Sequence, residues 1–141
     1  MHPETGKPHS DHVDLGQLAE EASVLWQYYT QIHNTDSLAW IKSLQPDVIF
    51  CFGWSRLLRK EVLDLAPFGV IGFHPSPLPA NGGRHPIIWA LALGLQETAS
   101  TFLFMDEDAD SGDIISQEVI SIFPSDDANS LYLRITNTAI H

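Results

Sequence analysis

A histidine and a group of carboxylates in this chain have the residue types that proton transfer requires. His74 follows an apolar run, residues 70–73, and Asp110 lies 36 positions later in an acidic turn (residues 106–113). Histidine changes its charge near neutral pH, and a neighbouring carboxylate orients its ring and stabilises the imidazolium. The two residues are therefore a candidate general acid–base pair.

The segment after His74, here called the proline loop (residues 75–85), carries polar side chains that could contact a substrate: Ser76, Arg84 and His85. Purely structural roles for these residues stay open at this point. A histidine at a strand end is more often structural, an acidic turn is usually only solvated, and prolines can simply stiffen a long loop. His74, His85 and Asp110 could also form a facial metal site, although their spacing defines no metal-ligand motif.

The hydrophobic pattern predicts an α/β domain that brings His74 and Asp110 to one edge of a sheet. Two continuous apolar runs, residues 47–52 and 70–73, flank a short helix predicted at residues 57–65, which is typical of a parallel βαβ unit. Alternating residues at 98–105 and 114–122 predict an antiparallel pair joined by the acidic turn. In open α/β sheets ligands bind beyond the carboxyl ends of the strands, and the antiparallel pair is expected to carry Asp110 to that edge.

The remaining patterns predict further helices and one further strand. Helices are expected from residue 13, after cap candidates at residues 34–37, from Pro86 with Gly94 as a C-cap, and after residues 124–127. The aromatic stretch at residues 26–30 is predicted to be a strand. Residues 1–12 are predicted to be a loop or disordered lead-in to a domain at residues 13–141.

Composition limits the class of protein. The 141 residues suit one domain, and 18 acidic against 7 basic residues give a net charge of −11, which argues against binding to a phosphate backbone. The single cysteine, Cys51, excludes an intrachain disulfide, and its apolar neighbours indicate a buried position. The sequence has no apolar run near the ~18 residues of a membrane span and no signal core at its start. We therefore expect a cytoplasmic protein without membrane attachment.

Three motifs together resemble the formyltransferase catalytic-domain family, which includes methionyl-tRNA formyltransferase, glycinamide ribonucleotide transformylase and sugar N-formyltransferases. They are His-Pro-Ser-Pro-Leu-Pro from His74, then Gly83, Pro86 and Trp89-Ala90-Leu91, and Asp-Ser-Gly-Asp-Ile from Asp110. The resemblance covers roughly residues 46–117. It implies a Rossmann-like fold with a mainly parallel sheet and an antiparallel strand pair near the C-terminal end, from which the first βαβ portion is missing.

The resemblance also implies an activity, the transfer of a formyl group from 10-formyltetrahydrofolate to an amine without a metal. His74 would be the proton-transferring residue, and Asp110 would pair with it and hold an ordered water. The acceptor is expected to be a small molecule, and an amino sugar is favoured. The folate ring is expected to bind at the positions that match the family's folate pocket: Leu57, Leu58, Val70, Met105, Asp106, Glu107, Asp108 and Ala109.

Two departures from the family motif affect the expected activity. The family asparagine, whose amide donates to the formyl oxygen, falls on Gly72, and loss of one such donor typically lowers the rate by about 10²–10³. Asn81 or Ser76 could supply a donor in its place. The family arginine before Gly83 is also replaced, by Gly82, and Arg84 could supply the charge instead.

These departures keep two alternative functions open. One is hydrolysis of 10-formyltetrahydrofolate through the same His74 and Asp110. The other is a catalytically impaired folate-binding fragment. A missing first unit would leave an apolar sheet edge or face uncovered, so we also expect a homodimer or marginal stability.

Overall fold

The computed structural model describes residues 14–29 and 31–141, which contain five helices and four strands. In chain order they are α1 (Leu15–Glu21), α2 (Thr35–Ser43), β1 (Ile49–Cys51), α3 (Lys60–Leu63), β2 (Val70–His74), α4 (Pro86–Ala92), β3 (Glu97–Phe104), β4 (Ile114–Ser121) and α5 (Ala128–Ile140). The predicted lead-in at residues 1–12 lies outside the described residues.

The four strands form one mixed sheet in the order β1-β2-β3-β4. Strands β1 and β2 are parallel, with Ile49 opposite Val70, whereas β2/β3 and β3/β4 are antiparallel. The α/β class, the parallel β1/β2 pair and the C-terminal antiparallel pair are confirmed. Antiparallel pairing extends further than predicted, to β2/β3. Helix α4 has only 7 residues, about 10 Å, so β3 begins at the edge where β2 ends and runs back beside it.

Local capping explains where the helices begin and end. The side chain of Asn34 accepts a hydrogen bond from the Ser37 N–H at 2.7 Å and starts α2. Asp127 and Ser130 form a reciprocal capping box at the start of α5. Pro86 occupies the first turn of α4, and Gly94 follows that helix with φ +64°. The predicted helices at these places are confirmed.

Two apolar clusters hold the layers together on opposite faces of the sheet. One joins α3 to β2 through Leu58, Val62 and Val70. The other joins α4 and α5 to β4, with Phe73 packed against its edge, and contains Ala90, Ile120, Ile122, Leu131 and Ile135. Val70 and Phe73 point to opposite faces because side chains alternate along a strand. Helices therefore pack against part of each face of the sheet.

Two predicted elements differ from the structure. Trp26–Tyr29 form no strand; instead the Trp26 ring packs edge-to-face on Tyr28, with centroids 5.0 Å apart, and lies against Gly16 of α1. Strand preference depends on a pairing partner, and these side chains pack on a helix instead. The helix predicted at residues 57–65 is limited to Lys60–Leu63, because Arg59 caps it in an extended conformation.

Strand β1 forms one edge of the described sheet. Its Phe50 is 62% exposed, and Phe52 just beyond it is 55% exposed. Phe50 lies opposite Ile71 in the register, so its ring projects from a face of the sheet. The missing first unit and dimerisation stay predictions. Among the described helices, none combines the length and the apolar character needed to cross a membrane.

Candidate active site

His74 and Asp110 contact each other directly. The distance from His74 Nδ1 to Asp110 Oδ1 is 3.2 Å, and the His74 side chain is only 12% exposed. His74 is the last residue of β2, and Asp110 lies in the acidic turn between β3 and β4. The acid–base geometry expected from the sequence is therefore present, while the catalytic roles of the two residues remain predictions.

The acidic turn reaches His74 by a different route from the one expected. Phe104 lies opposite Ile71, so β3 carries the chain toward the amino end of β2 and away from His74. Ile71 and His74 are three positions apart, which is a distance of about 10 Å along the strand. The turn itself folds back along the sheet by this distance and places Asp110 beside the imidazole.

The surroundings of His74 favour its neutral form. Burial lowers the pKa of His74, and the Asp110 carboxylate and the Asn81 backbone only partly oppose this effect. A carboxylate beside Nδ1 favours the tautomer that carries its proton there. Nε2 is buried and has no hydrogen-bond partner among the described residues. In that tautomer Nε2 carries the lone pair of the ring.

Side chains from β3 and β4 hold the first half of the proline loop. Thr101 Oγ1 donates to the Ser76 carbonyl at 2.7 Å, and Thr98 Oγ1 donates to the Pro75 carbonyl at 3.2 Å. Gln117 Nε2 donates to the Leu78 carbonyl at 3.0 Å. Sequence reasoning missed these three residues. The sequence shows only that these residues are polar and lie in strands predicted from alternation, and the strand register is needed to find their partners.

The acidic turn is held mainly by its own hydrogen bonds. Asp106 Oδ1 accepts from the Ser111 hydroxyl at 2.7 Å and from the Asp108 N–H at 3.1 Å. A Cβ on Gly112 would lie 1.8 Å from the Phe104 carbonyl oxygen, so the close approach of the chain there requires glycine. The turn is also joined to the proline loop, because Asp110 Oδ2 accepts from the Gly83 N–H at 2.8 Å.

A cleft of about 790 Å³ opens around the pair. Most of the predicted site residues line it: Leu57, Leu58, His74, Arg84, His85, Met105, Asp106, Asp108, Ala109 and Asp110.

Three predicted site residues lie outside the cleft lining. Val70 is 1% exposed and belongs to the apolar cluster behind the wall. The Ser76 hydroxyl is buried and donates to the Ala80 carbonyl at 3.4 Å. Glu107 is exposed on the acidic turn. Their predicted binding roles stay predictions, and the surroundings of Val70 and Ser76 favour a structural role.

Helix α5 contributes a wall that sequence reasoning missed. Its residues Tyr132, Thr136, Ala139 and Ile140 line the cleft from one helix face, since they are spaced by three or four positions or are adjacent. The amphipathic spacing predicts a helix but does not reveal which of its faces meets the cleft.

The position of the family asparagine is filled by a methionine side chain. A Cβ on Gly72 would lie 2.9 Å from Met105 Cγ and 3.2 Å from Met105 Sδ. Gly72 and His74 lie on the same face of β2 because they are two residues apart. The wall next to His74 is therefore apolar, where the resemblance implies an amide donor.

The sequence resembles known proteins over most of its length. The family described as "Formyl transferase" matches residues 13–140. Methionyl-tRNA formyltransferase from Desulfotalea psychrophila is 36% identical over 118 residues, which are 84% of this chain and 36% of that protein. The chain thus spans about a third of the length of this curated relative.

Solved structures resemble the fold as well. Phosphoribosylglycinamide formyltransferase from Bacillus halodurans superposes with a TM-score of 0.78 at 26% identity, covering 86% of this chain and 66% of that one. Glycinamide ribonucleotide transformylase 1 from Geobacillus kaustophilus superposes with a TM-score of 0.76 at 29% identity, covering 86% of this chain and 69% of that one.

Proposed function

This chain belongs to the formyl transferase family, and on that premise we propose that it transfers a formyl group from 10-formyltetrahydrofolate to the amine of a small acceptor. The observation that carries this proposal is the contact between His74 and Asp110 inside the cleft. The lowered pKa of His74 keeps its imidazole neutral at physiological pH, as a general base requires.

In the proposed reaction His74 moves one proton. The acceptor nitrogen attacks the formyl carbon, and His74 Nε2 takes a proton from that nitrogen as the new C–N bond forms. Asp110 stabilises the resulting imidazolium through Nδ1–H. His74 then returns the proton to N10 of the folate as the old C–N bond breaks. The products are a formamide and tetrahydrofolate, and His74 ends in its starting form.

The residues that line the cleft support an assignment of separate surfaces to the folate and to the acceptor. Leu57, Leu58 and Met105 provide apolar area that suits the flat folate ring, next to the backbone of the acidic turn. Arg84 and His85 are exposed and also line the cleft, and we assign them to binding of the acceptor. A net charge of −11 disfavours a tRNA acceptor, so we propose a small amine, with an amino sugar as the favoured class.

The test is an assay with 10-formyltetrahydrofolate and three separate acceptors: a nucleotide-linked amino sugar, phosphoribosylglycinamide and methionyl-tRNA. We expect a formylated amino sugar, identified by mass, and loss of at least about 10²-fold in rate for His74→Ala. His141→Ala, which alters an exposed histidine, is the matched control. Equal rates for the His74 variant and the parent protein would overturn the mechanism, and formate release without a formamide would indicate hydrolysis.

A second candidate, an impaired folate-binding protein, is favoured by the Met105 side chain at the asparagine position. Asparagine at position 72 would collide with Met105, so the informative variant is Gly72→Asn combined with Met105→Ala. If only the amide donor is missing, the double variant should exceed Met105→Ala by about 10²–10³ in rate. No gain, together with calorimetric binding of a 10-formylfolate analogue, would favour the binding protein; loss of both activity and binding would exclude both candidates.

A further inference from the structure

We propose that the backbone N–H of Gly83 positions the acid–base pair by fixing the Asp110 carboxylate, which in turn keeps His74 in its Nδ1–H tautomer. The inference rests on the proposed function for its catalytic meaning, since the Nδ1–H tautomer is the one that leaves Nε2 free as a base. Its structural content concerns only the contacts among Gly83, Asp110 and His74.

The two oxygens of Asp110 have different partners. Oδ2 accepts from the Gly83 N–H at 2.8 Å, and Oδ1 lies 3.2 Å from His74 Nδ1. A carboxylate can rotate about its last torsion unless both oxygens are engaged. Because the shorter contact is to Gly83, that N–H sets the plane of the carboxylate, and the second oxygen then faces the imidazole.

Backbone geometry at both ends of this contact is specialised. Gly83 has φ +100°, a region that side-chain-bearing L residues rarely adopt, and Asp110 has φ +56°. A backbone N–H aimed at a carboxylate makes a charge-assisted hydrogen bond, which is shorter and stronger than a neutral one. The backbone is therefore turned at both residues so that the Gly83 N–H meets the Asp110 carboxylate.

The same contact connects the two loops that carry the site. The first half of the proline loop is held by Thr98, Thr101 and Gln117, as described above, whereas its second half meets the acidic turn through Gly83. A shift of the second half would withdraw the N–H from Oδ2 and free the carboxylate. The state of the loop is in this way coupled to the tautomer of His74.

The direct test replaces the amide at position 83 by an ester, with glycolic acid in place of Gly83, in protein that carries ¹⁵N-labelled histidine. The ester removes the N–H and leaves the backbone shape nearly unchanged. We expect the ¹⁵N shifts of the His74 ring to move from the Nδ1–H pattern toward a mixture of tautomers, and the transfer rate to fall by up to about 10²-fold. His74→Ala assigns the signals.

A matched ester at Gly94 is the control. Gly94 also has a positive φ, and its N–H donates to the Leu91 carbonyl at 3.0 Å, so this ester removes a comparable backbone hydrogen bond far from the pair. The His74 tautomer should not change in this variant. An unchanged tautomer in the Gly83 ester, with far-UV circular dichroism showing a folded chain, would overturn the inference.

Asp110→Asn gives a second test that needs only conventional mutagenesis. If the Gly83 N–H sets the orientation, the amide oxygen stays on Gly83 and the NH₂ group faces His74 Nδ1. This forces the proton of the ring to Nε2, whereas Asp113→Asn in the same turn should leave the tautomer unchanged. Retention of Nδ1–H in Asp110→Asn would contradict the inference. Both tests report on the ring itself, so a parent protein that transfers no formyl group would refute the proposed function and leave this result interpretable.

Discussion

The two loops that meet at His74 are held in different ways. The proline loop depends on other parts of the fold, because its carbonyls accept hydrogen bonds from Thr98, Thr101 and Gln117. The acidic turn depends on itself, through Asp106 and the close packing at Gly112. One loop is therefore positioned by distant strand residues and the other by its own sequence. Mutations should reveal this difference.

The largest expected effect is in the acidic turn. Gly112→Ala places a Cβ 1.8 Å from the Phe104 carbonyl oxygen, so the turn or the end of β3 has to move. We expect a loss of about 3–4 kcal/mol in the free energy of unfolding, measured by urea denaturation. Gly82→Ala in the proline loop is the control, since its nearest contacts would be an ordinary 3.6 Å. Equal losses in both variants would remove the contrast between the loops.

A smaller effect is expected when the proline loop loses a distant anchor. Thr101→Val leaves the buried Ser76 carbonyl without its donor and should cost about 1–3 kcal/mol of unfolding free energy. The transfer rate should fall as well, because the loop carries the Gly83 N–H. Thr138→Val removes a threonine hydroxyl that donates only within α5 and should cost less than about 1 kcal/mol. A loss in Thr101→Val no greater than in Thr138→Val would mean that the loop needs no external anchor.

The smallest expected effect is on the pH dependence of rate and stability, which depends on the imidazole of His74 and its neighbours in both loops. Burial lowers the pKa of His74 below its ordinary value of 6.5, so the neutral base persists to lower pH and the acid limb of the rate profile should have its midpoint below 6.5. As the pH falls, His74 takes up a proton at a higher pH in the unfolded chain than in the folded chain. The free energy of unfolding should therefore fall as the pH drops below about 6.5. Removing the Asp110 charge should lower the pKa further. An NMR titration of His74 with a midpoint above 6.5 would contradict this.

The sequence predicts those features that depend on local pattern. Alternation and the acidic turn correctly predict the β3/β4 pair, and the cap candidates at residues 34–37 correctly predict where α2 starts. The strand expected at residues 26–30 is wrong over Trp26–Tyr29, because aromatic strand preference does not specify a partner and these rings pack on α1. The helix expected from Leu57 is too long, because the extended conformation of its N-cap, Arg59, delays the start of the helix to Lys60.

In the candidate site, too, local pattern predicts some features, whereas others depend on tertiary packing. The strand end at His74 and the acidic turn around Asp110 predict that the two residues meet, and the 3.2 Å contact agrees. The route, in which the turn folds back along the sheet, is not predicted by the sequence. The Thr101 and Gln117 anchors depend on which strand residues face the proline loop, and this requires the register of the sheet. The lining of the cleft by Tyr132 depends on how α5 packs, which its own sequence does not determine.

The β2–β3–β4 unit has a consequence for the dynamics of the chain. Every hydrogen bond described here that fixes the two loops lies between residues 74 and 117, within that unit. Local opening of α1 and α2 would break none of these bonds. The amide protons of β2 and β3 should therefore exchange with solvent deuterium more slowly than those of α1, as hydrogen-exchange mass spectrometry would show.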